Sequence, residues 1–162
     1  MRKRMRDESL VELGRLLKSL AGKPVVCVRY GRWPVRGAAG DGPAGLAEQV
    51  HELVAEIHPP GAEAPDGARI EAALVPLTAE AAVEAMTALA ADDLVRPRHA
   101  LKDREVARDA VTRIVHILGP TASWWTNQRG GGWDPVTGFT FDGVVAGGNG
   151  AYFVVLLQVG ED

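Results

Sequence analysis

Between Thr121 and Val159 the chain gathers the residues best able to do chemistry or hold a partner. Trp124, Trp125, Asn127, Gln128, Arg129, Trp133 and Asp134 surround a run of three glycines, and Asp142 follows shortly after. The same stretch holds three of the four Trp and all three Phe of the 162-residue chain. Two chemistries fit these residue types. As a binding surface, Trp133 and one of Trp124 and Trp125 would be anchors, because Trp and Arg carry a disproportionate share of interface energy. Asn127, Arg129 and Asp134 would then supply hydrogen bonds and charge complementarity. As an enzyme site, Asp134 and Asp142 would form a carboxylate pair and Arg129 an anion clamp. The enzyme reading lacks a nucleophile paired with a base: there is no G-x-S-x-G, one Cys, and four scattered His. A third reading is structural, with the indoles packed over a sheet and the glycines letting the chain turn.

The elements that must position this loop are strands. Asn149-Gly150 is a favoured pair for a type I′ turn, in which both central residues take positive φ. The flanks from Phe139 to Ala146 and from Ala151 to Val159 are rich in Phe, Tyr and Val, which suit a pleated, packed surface. With Asn149-Gly150 as the loop, Val144 faces Val155 and Asp142 faces Leu157; a four-residue loop sorts the faces identically. One face then carries Phe139, Phe141, Val145, Val154 and Leu156, and the other Thr140, Asp142, Val144, Phe153, Val155, Leu157 and Val159. Both are largely apolar, whereas a sheet with one wet face alternates more cleanly. Either helices cover both sides or one side is offered to a partner, which allows a homodimer. Asp142 is out of place in this setting. Buried, it needs a donor such as Arg129; the plainer expectation is a solvated position near the strand's open end.

Trp124-Trp125 at the end of a short strand sends one indole to each face. The run from Asn127 to Gly132 reads as flexible and polar, closed by a turn at Trp133-Asp134-Pro135.

Upstream, helical periodicity predicts a helix over 8–21, with Leu10, Leu13, Leu16, Leu17 and Leu20 inward, preceded by a frayed basic tip over 1–7. Residues 24–30 (PVVCVRY) read as a buried strand with Cys27 an inert core thiol. Gly40 to Gly45 matches G-x-G-x-x-G, but the glycines do not follow the strand directly and Pro43 removes an amide, so no dinucleotide is expected there. A helix over 46–58 carries Leu46, Val50, Leu53, Val54 and Ile57 on its inner face. His51 and His58 lie two turns apart on its flank with Ala55 between them, so no metal site is expected. Residues 69–74 read as a strand stopped by Pro76. Thr78 should cap a helix over 79–91. A final helix over 103–118 shows an apolar stripe, with Asp109 and Arg113 paired at i, i+4. The expected fold is therefore α+β: a single domain over 1–162 with a mostly antiparallel sheet and a C-terminal β-hairpin packed against about four helices.

Composition narrows the function classes. A net charge of −3 disfavours a dedicated nucleic-acid binder, leaving only the basic tip and Arg96/Arg98 as candidates. Lys occurs only at 3, 18, 23 and 102, so the basic residues are overwhelmingly Arg. One Cys excludes an internal disulfide framework and fits a reducing compartment. No apolar segment follows the basic N-terminus or approaches membrane-spanning length, so a cytoplasmic protein without signal peptide or cofactor is expected. Mildly acidic single-domain proteins of this kind are often interaction proteins, including those that neutralise a toxin. The expectation is a protein-binding module with an immunity- or antitoxin-like role as its sharpest form. The alternative is a small-molecule enzyme or ligand-binding protein with a site near Arg129, Asp134 and Asp142.

Overall fold

The computed structural model describes residues 2–22, 25–33, 42–58 and 63–161, with 2–7 known by backbone alone. In chain order the elements are α1 (Arg2–Leu20), β1 (Val26–Arg32), α2 (Pro43–Ile57), α3 (Gly67–Ala73), β2 (Val75–Leu77), α4 (Ala79–Ala91), α5 (Arg104–Leu118), β3 (Ser123–Thr126), β4 (Gln128–Arg129), β5 (Gly132–Trp133), β6 (Phe141–Gly148) and β7 (Tyr152–Gly160). Five strands form one antiparallel sheet in the order β1-β7-β6-β3-β2, and β4 with β5 forms a separate two-stranded ribbon. This is the α+β arrangement expected, with helices against the sheet.

The doubly apolar hairpin is explained by helices on both sides. Val145, Val154 and Leu156 join Leu13, Leu17, Met86, Ile114 and Trp124 in one core, built with α1, α4 and α5. Val144, Phe153, Val155 and Leu157 join Leu46, Val50, Val54 and Ile70 in a second, built with α2 and α3. The strand period of two thus feeds two separate cores from one hairpin. Phe139 lies outside β6 and packs against the second core, not with Phe141 as the alternation predicted.

The turn of that hairpin differs from the expected one. The register pairs Gly148 with Phe153 and Val144 with Leu157, so Gly150 and Ala151 are the central residues. Asn149 precedes them. Its N–H donates to the carbonyl of Tyr152 at 3.0 Å, and its side-chain oxygen accepts from the amides of Ala151 and Tyr152, each at 2.8 Å. Neither Asn149 nor Gly150 has positive φ. Asn side chains satisfy nearby backbone donors in turns, and that local bond won over the type I′ geometry. The shift is two residues, so the faces sort as predicted.

The segment read as a strand over 69–74 is the helix α3. Asp66 caps it by accepting from the amide of Arg69 at 2.8 Å, and Ile70 and Ala73 point inward at helical spacing. Pro76, expected to stop that strand, lies instead inside β2. β2 is an edge strand paired only with β3, the place in a sheet where a proline is tolerated. Elsewhere the helices fall close to their expected positions. Thr78 caps α4 by accepting from Ala81 at 3.1 Å, and Asp103 caps α5 by accepting from Val106 at 3.0 Å. Helix α1 extends back to Arg2, through the tip expected to fray. Arg113 reaches Glu12 of α1 at 3.5 Å, so its ion pair runs between helices and not along α5 to Asp109 as the spacing predicted. Pro24, Gly40 and Asp41 lie outside the described residues; Gly42 is the N-cap of α2 and Pro43 its first residue.

Candidate functional site

The glycine run is a built turn. Gly130 and Gly131 have φ of 40° and 84° and stand between β4 and β5. Two successive positive φ values make the type I′ connection that joins two strands most tightly, and glycine adopts them without a Cβ clash. The segment expected to be flexible is thus a ribbon with Gln128 opposite Trp133 and Arg129 opposite Gly132.

Opposite residues in a ribbon share a face and neighbours alternate, so Trp133 and Arg129 point to opposite sides. Trp133 is 38% exposed, and one side of its ring rests on Phe141 with centroids 5.5 Å apart. Arg129 points to α3, where its Nη2 donates to the carbonyls of Ala72 at 3.1 Å and Ala73 at 3.5 Å. Asp134 shares the Arg129 side. It pairs with Arg69 at 3.2 Å and lies 3.9 Å from Arg129. The ribbon residues of the expected binding surface are therefore split: Trp133 projects from one face, while Arg129 and Asp134 fasten the ribbon to α3.

Behind the ribbon lies a buried polar network centred on Asp142, which is 1% exposed. Its carboxylate accepts from Asn127 Nδ2 at 2.8 Å, Thr137 Oγ1 at 2.7 Å, the Thr137 amide at 3.0 Å and the Val136 amide at 3.2 Å. Burial pushes its pKa above the usual carboxylate value, and the Thr137, Val136 and Asn127 donors pull the other way. The solvated position expected for Asp142 is overturned, and its donors are amides and hydroxyl rather than Arg129. The physical reason is local: the loop before β6 turns the amides of Val136 and Thr137 onto the carboxylate. Asn127, fully buried, extends the network. It donates also to the carbonyl of Asp134 at 3.0 Å and accepts from the amide of Val144 at 2.9 Å.

Trp124 and Trp125 do take opposite faces. Trp124 is 2% exposed in the first core, and Trp125 packs half-buried against the second. Trp124, Asn127 and Asp142 are thus enclosed and act on any partner only through the ribbon that they position. Among the described residues no group of three or more His, Cys, Asp or Glu is arranged to hold a metal ion. His58 instead accepts from the amide of Gly138 at 3.1 Å and meets Phe139 edge-on, tying the end of α2 to the loop before β6. His51 faces the carbonyl of Pro65 at 3.1 Å.

Compared with models of protein families, with curated proteins and with solved structures, the chain gives no match. Its functional reading therefore rests on its own geometry.

Two features escaped the sequence. Thr137 gave no signal, because its role exists only once the loop has closed on Asp142. The groove beside β1 was hidden for a similar reason. It encloses about 500 Å³ and is lined by Val25, Cys27, Ile57, Phe139, Val159 and Glu161. Cys27, taken as a core thiol, is half-buried there. No described helix is long and apolar enough to cross a membrane.

Proposed function

We propose that the chain is a protein-binding module that presents Trp133 from the β4–β5 ribbon, and that its sharpest form is neutralisation of a toxin. The observation that carries this reading is a large aromatic side chain, 38% exposed, on a ribbon braced from behind. Holding an anchor in its bound geometry lowers the ordering cost of association, so bracing favours affinity without extra area. The Gly130-Gly131 turn, the Asn127–Asp142 network and the Arg129 contacts to α3 supply that bracing.

The test is a pull-down from the native cell extract with wild type and Trp133→Ala as baits. A stoichiometric protein retained by wild type and lost by the variant supports the module. Co-expression that relieves growth arrest by the captured protein would establish the neutralising form. A folded wild-type bait that retains no protein overturns the reading.

The second reading, a small-molecule protein, draws on the apolar groove rather than on the acidic pair. Both Asp142 oxygens are taken up by donors inside the fold, which leaves the carboxylate poorly placed for proton transfer. The groove's volume and apolar lining suit a compact hydrophobic ligand. Thermal-shift screening of apolar small molecules, with Ile57→Trp to fill the groove, separates this reading from the first.

A further inference from the structure

The residues around Trp133 on its own side of the ribbon differ from those the sequence brings together. Phe141, on which its ring rests, pairs across the sheet with Gly160. The side chain of Val95 sits directly over Gly160, so Val95 and Phe141 flank the same glycine. Gln128, the ribbon residue opposite Trp133, and Leu94 both close on Gly143. The loop after α4 is thus set against the ribbon from the same side of the sheet. Trp133 is exposed, while Phe141 and Val95 are half-buried. Beyond Val95 the loop continues through Arg96, Pro97, Arg98 and His99, all exposed.

This loop is fixed by its own chemistry. Asp93 accepts from the amides of Val95 at 2.8 Å and Arg96 at 3.2 Å, and the amide of His99 donates to the carbonyl of Arg96 at 2.8 Å. Gln158, buried in β7, accepts from the amide of Leu94 at 2.7 Å and donates to the carbonyls of Leu89 and Asp92 at 2.7 and 2.8 Å. A polar side chain in the first core thereby ties the loop's root to the central sheet. The result is an apolar ridge of Trp133, Phe141 and Val95 from which the chain runs on into the exposed Arg96 and Arg98; of the loop's three aspartates, Asp92 pairs with Arg104, Asp93 accepts from loop amides and Asp103 caps α5.

We infer that this ridge and the Arg96–Arg98 loop form one docking surface for a protein segment that pairs an aromatic or aliphatic side chain with carboxylates. The inference rests on the binding-module reading and assigns the partner's chemistry. Charge complementarity argues for the acidic partner: in a chain of net charge −3, residues 93–99 place two exposed arginines against one aspartate, and the neighbouring Asp92 is already paired with Arg104. The apolar ridge argues for a protein over a nucleic acid, since half-buried Phe141 and Val95 extend the apolar contact that Trp133 begins. An overall negative charge also opposes a polyanion that must approach over many phosphates.

The experiment selects short random peptides on full-length wild type and measures the winners by fluorescence anisotropy against wild type, Trp133→Ser and Arg96→Glu/Arg98→Glu. Random-sequence single-stranded and duplex DNA and RNA serve as a second probe. The expected result is enrichment of Asp and Glu next to Leu, Phe or Tyr, with about tenfold weaker binding to each variant. Both arginines are exposed, so the charge-reversed protein keeps its wild-type melting temperature and remains informative if Trp133→Ser folds poorly. Basic or charge-neutral winners, or acidic winners that bind the charge-reversed protein as well as wild type, overturn the inference. Nucleic-acid binding tighter than that of any peptide, and lost with added salt, also overturns it. If the extract yields a partner that needs Trp133 but ignores Arg96 and Arg98, the module stands and this assignment of its chemistry falls.

Discussion

Asp142 shows how much of a binding surface is decided by a residue that no partner can touch. Its carboxylate gathers donors from Asn127, Val136 and Thr137, and through Asn127 it reaches the Asp134 carbonyl at the root of the ribbon. An Asp142→Asn substitution places an NH2 group among these donors and leaves at least one unsatisfied. The expected loss in stability at neutral pH is about 1–3 kcal/mol, read by urea unfolding. The pH dependence has a definite sign. Burial raises the pKa of Asp142 in the folded chain, so the fold takes up a proton more readily than the unfolded chain does. The ionised form therefore carries a penalty at neutral pH, which is relieved as pH falls through the raised value. The stability gap between wild type and Asp142→Asn should then widen as the pH is lowered from neutrality. A gap that narrows would mean that the four donors outweigh burial and hold the carboxylate ionised.

At the scale of elements, the β4–β5 ribbon converts that network into a presented side chain. Its turn depends on Gly130 and Gly131, whose positive φ values a β-branched residue adopts only under strain. Gly131→Val is expected to cost about 1–3 kcal/mol, and the cost should appear as local opening because the ribbon lies at the surface. Hydrogen exchange reads it: the Asp134 amide, which donates to the Asn127 carbonyl at 2.9 Å, should exchange faster while β6 and β7 keep their wild-type protection. Loss of protection spreading equally into β6 and β7 would place the ribbon in the global unfolding unit. The same elements mark the boundary of what the sequence could say. Glycine between strand-forming residues announced a turn, but two candidate turns competed. Asn149 acted through its side chain, while the glycine run supplied the positive-φ connection. The face of Trp133 was also legible in principle, since residues opposite in a two-residue turn share a side. What remained hidden was that Val95 and Phe141 would flank the same glycine, Gly160, a long-range placement that periodicity does not encode. The helix at 67–73 was missed because a seven-residue segment shows less than two turns of pattern, and the capping Asp66 was its one clear mark.

For the whole molecule, the legible feature was the doubly apolar hairpin, and it carries the architecture. A strand period of two with apolar residues on both phases required cover on both sides, and α1, α4 and α5 supply one layer while α2 and α3 supply the other. Which helices take which side depends on crossovers that local sequence does not specify. Because β6 and β7 contribute to both cores, the two layers cannot lose packing independently of the sheet between them. Adjacent residues of β7 test this: Leu156 and Leu157 are both fully buried, one in each core. Leu156→Ala and Leu157→Ala should each destabilise the protein by about 2–5 kcal/mol, the usual range for deleting a buried leucine side chain. Each variant should also unfold in a single transition that coincides by far-ultraviolet circular dichroism and by tryptophan fluorescence. Trp124 reports from the first core and Trp125 from the edge of the second, so fluorescence samples both layers. If Leu157→Ala releases α2 and α3 at low denaturant while the first core melts at the wild-type midpoint, the sheet is a shared wall between two separable units. A coincident shift instead means that a side chain lost on either face is felt through the sheet on the other, and that the bracing of the ribbon draws on both cores at once.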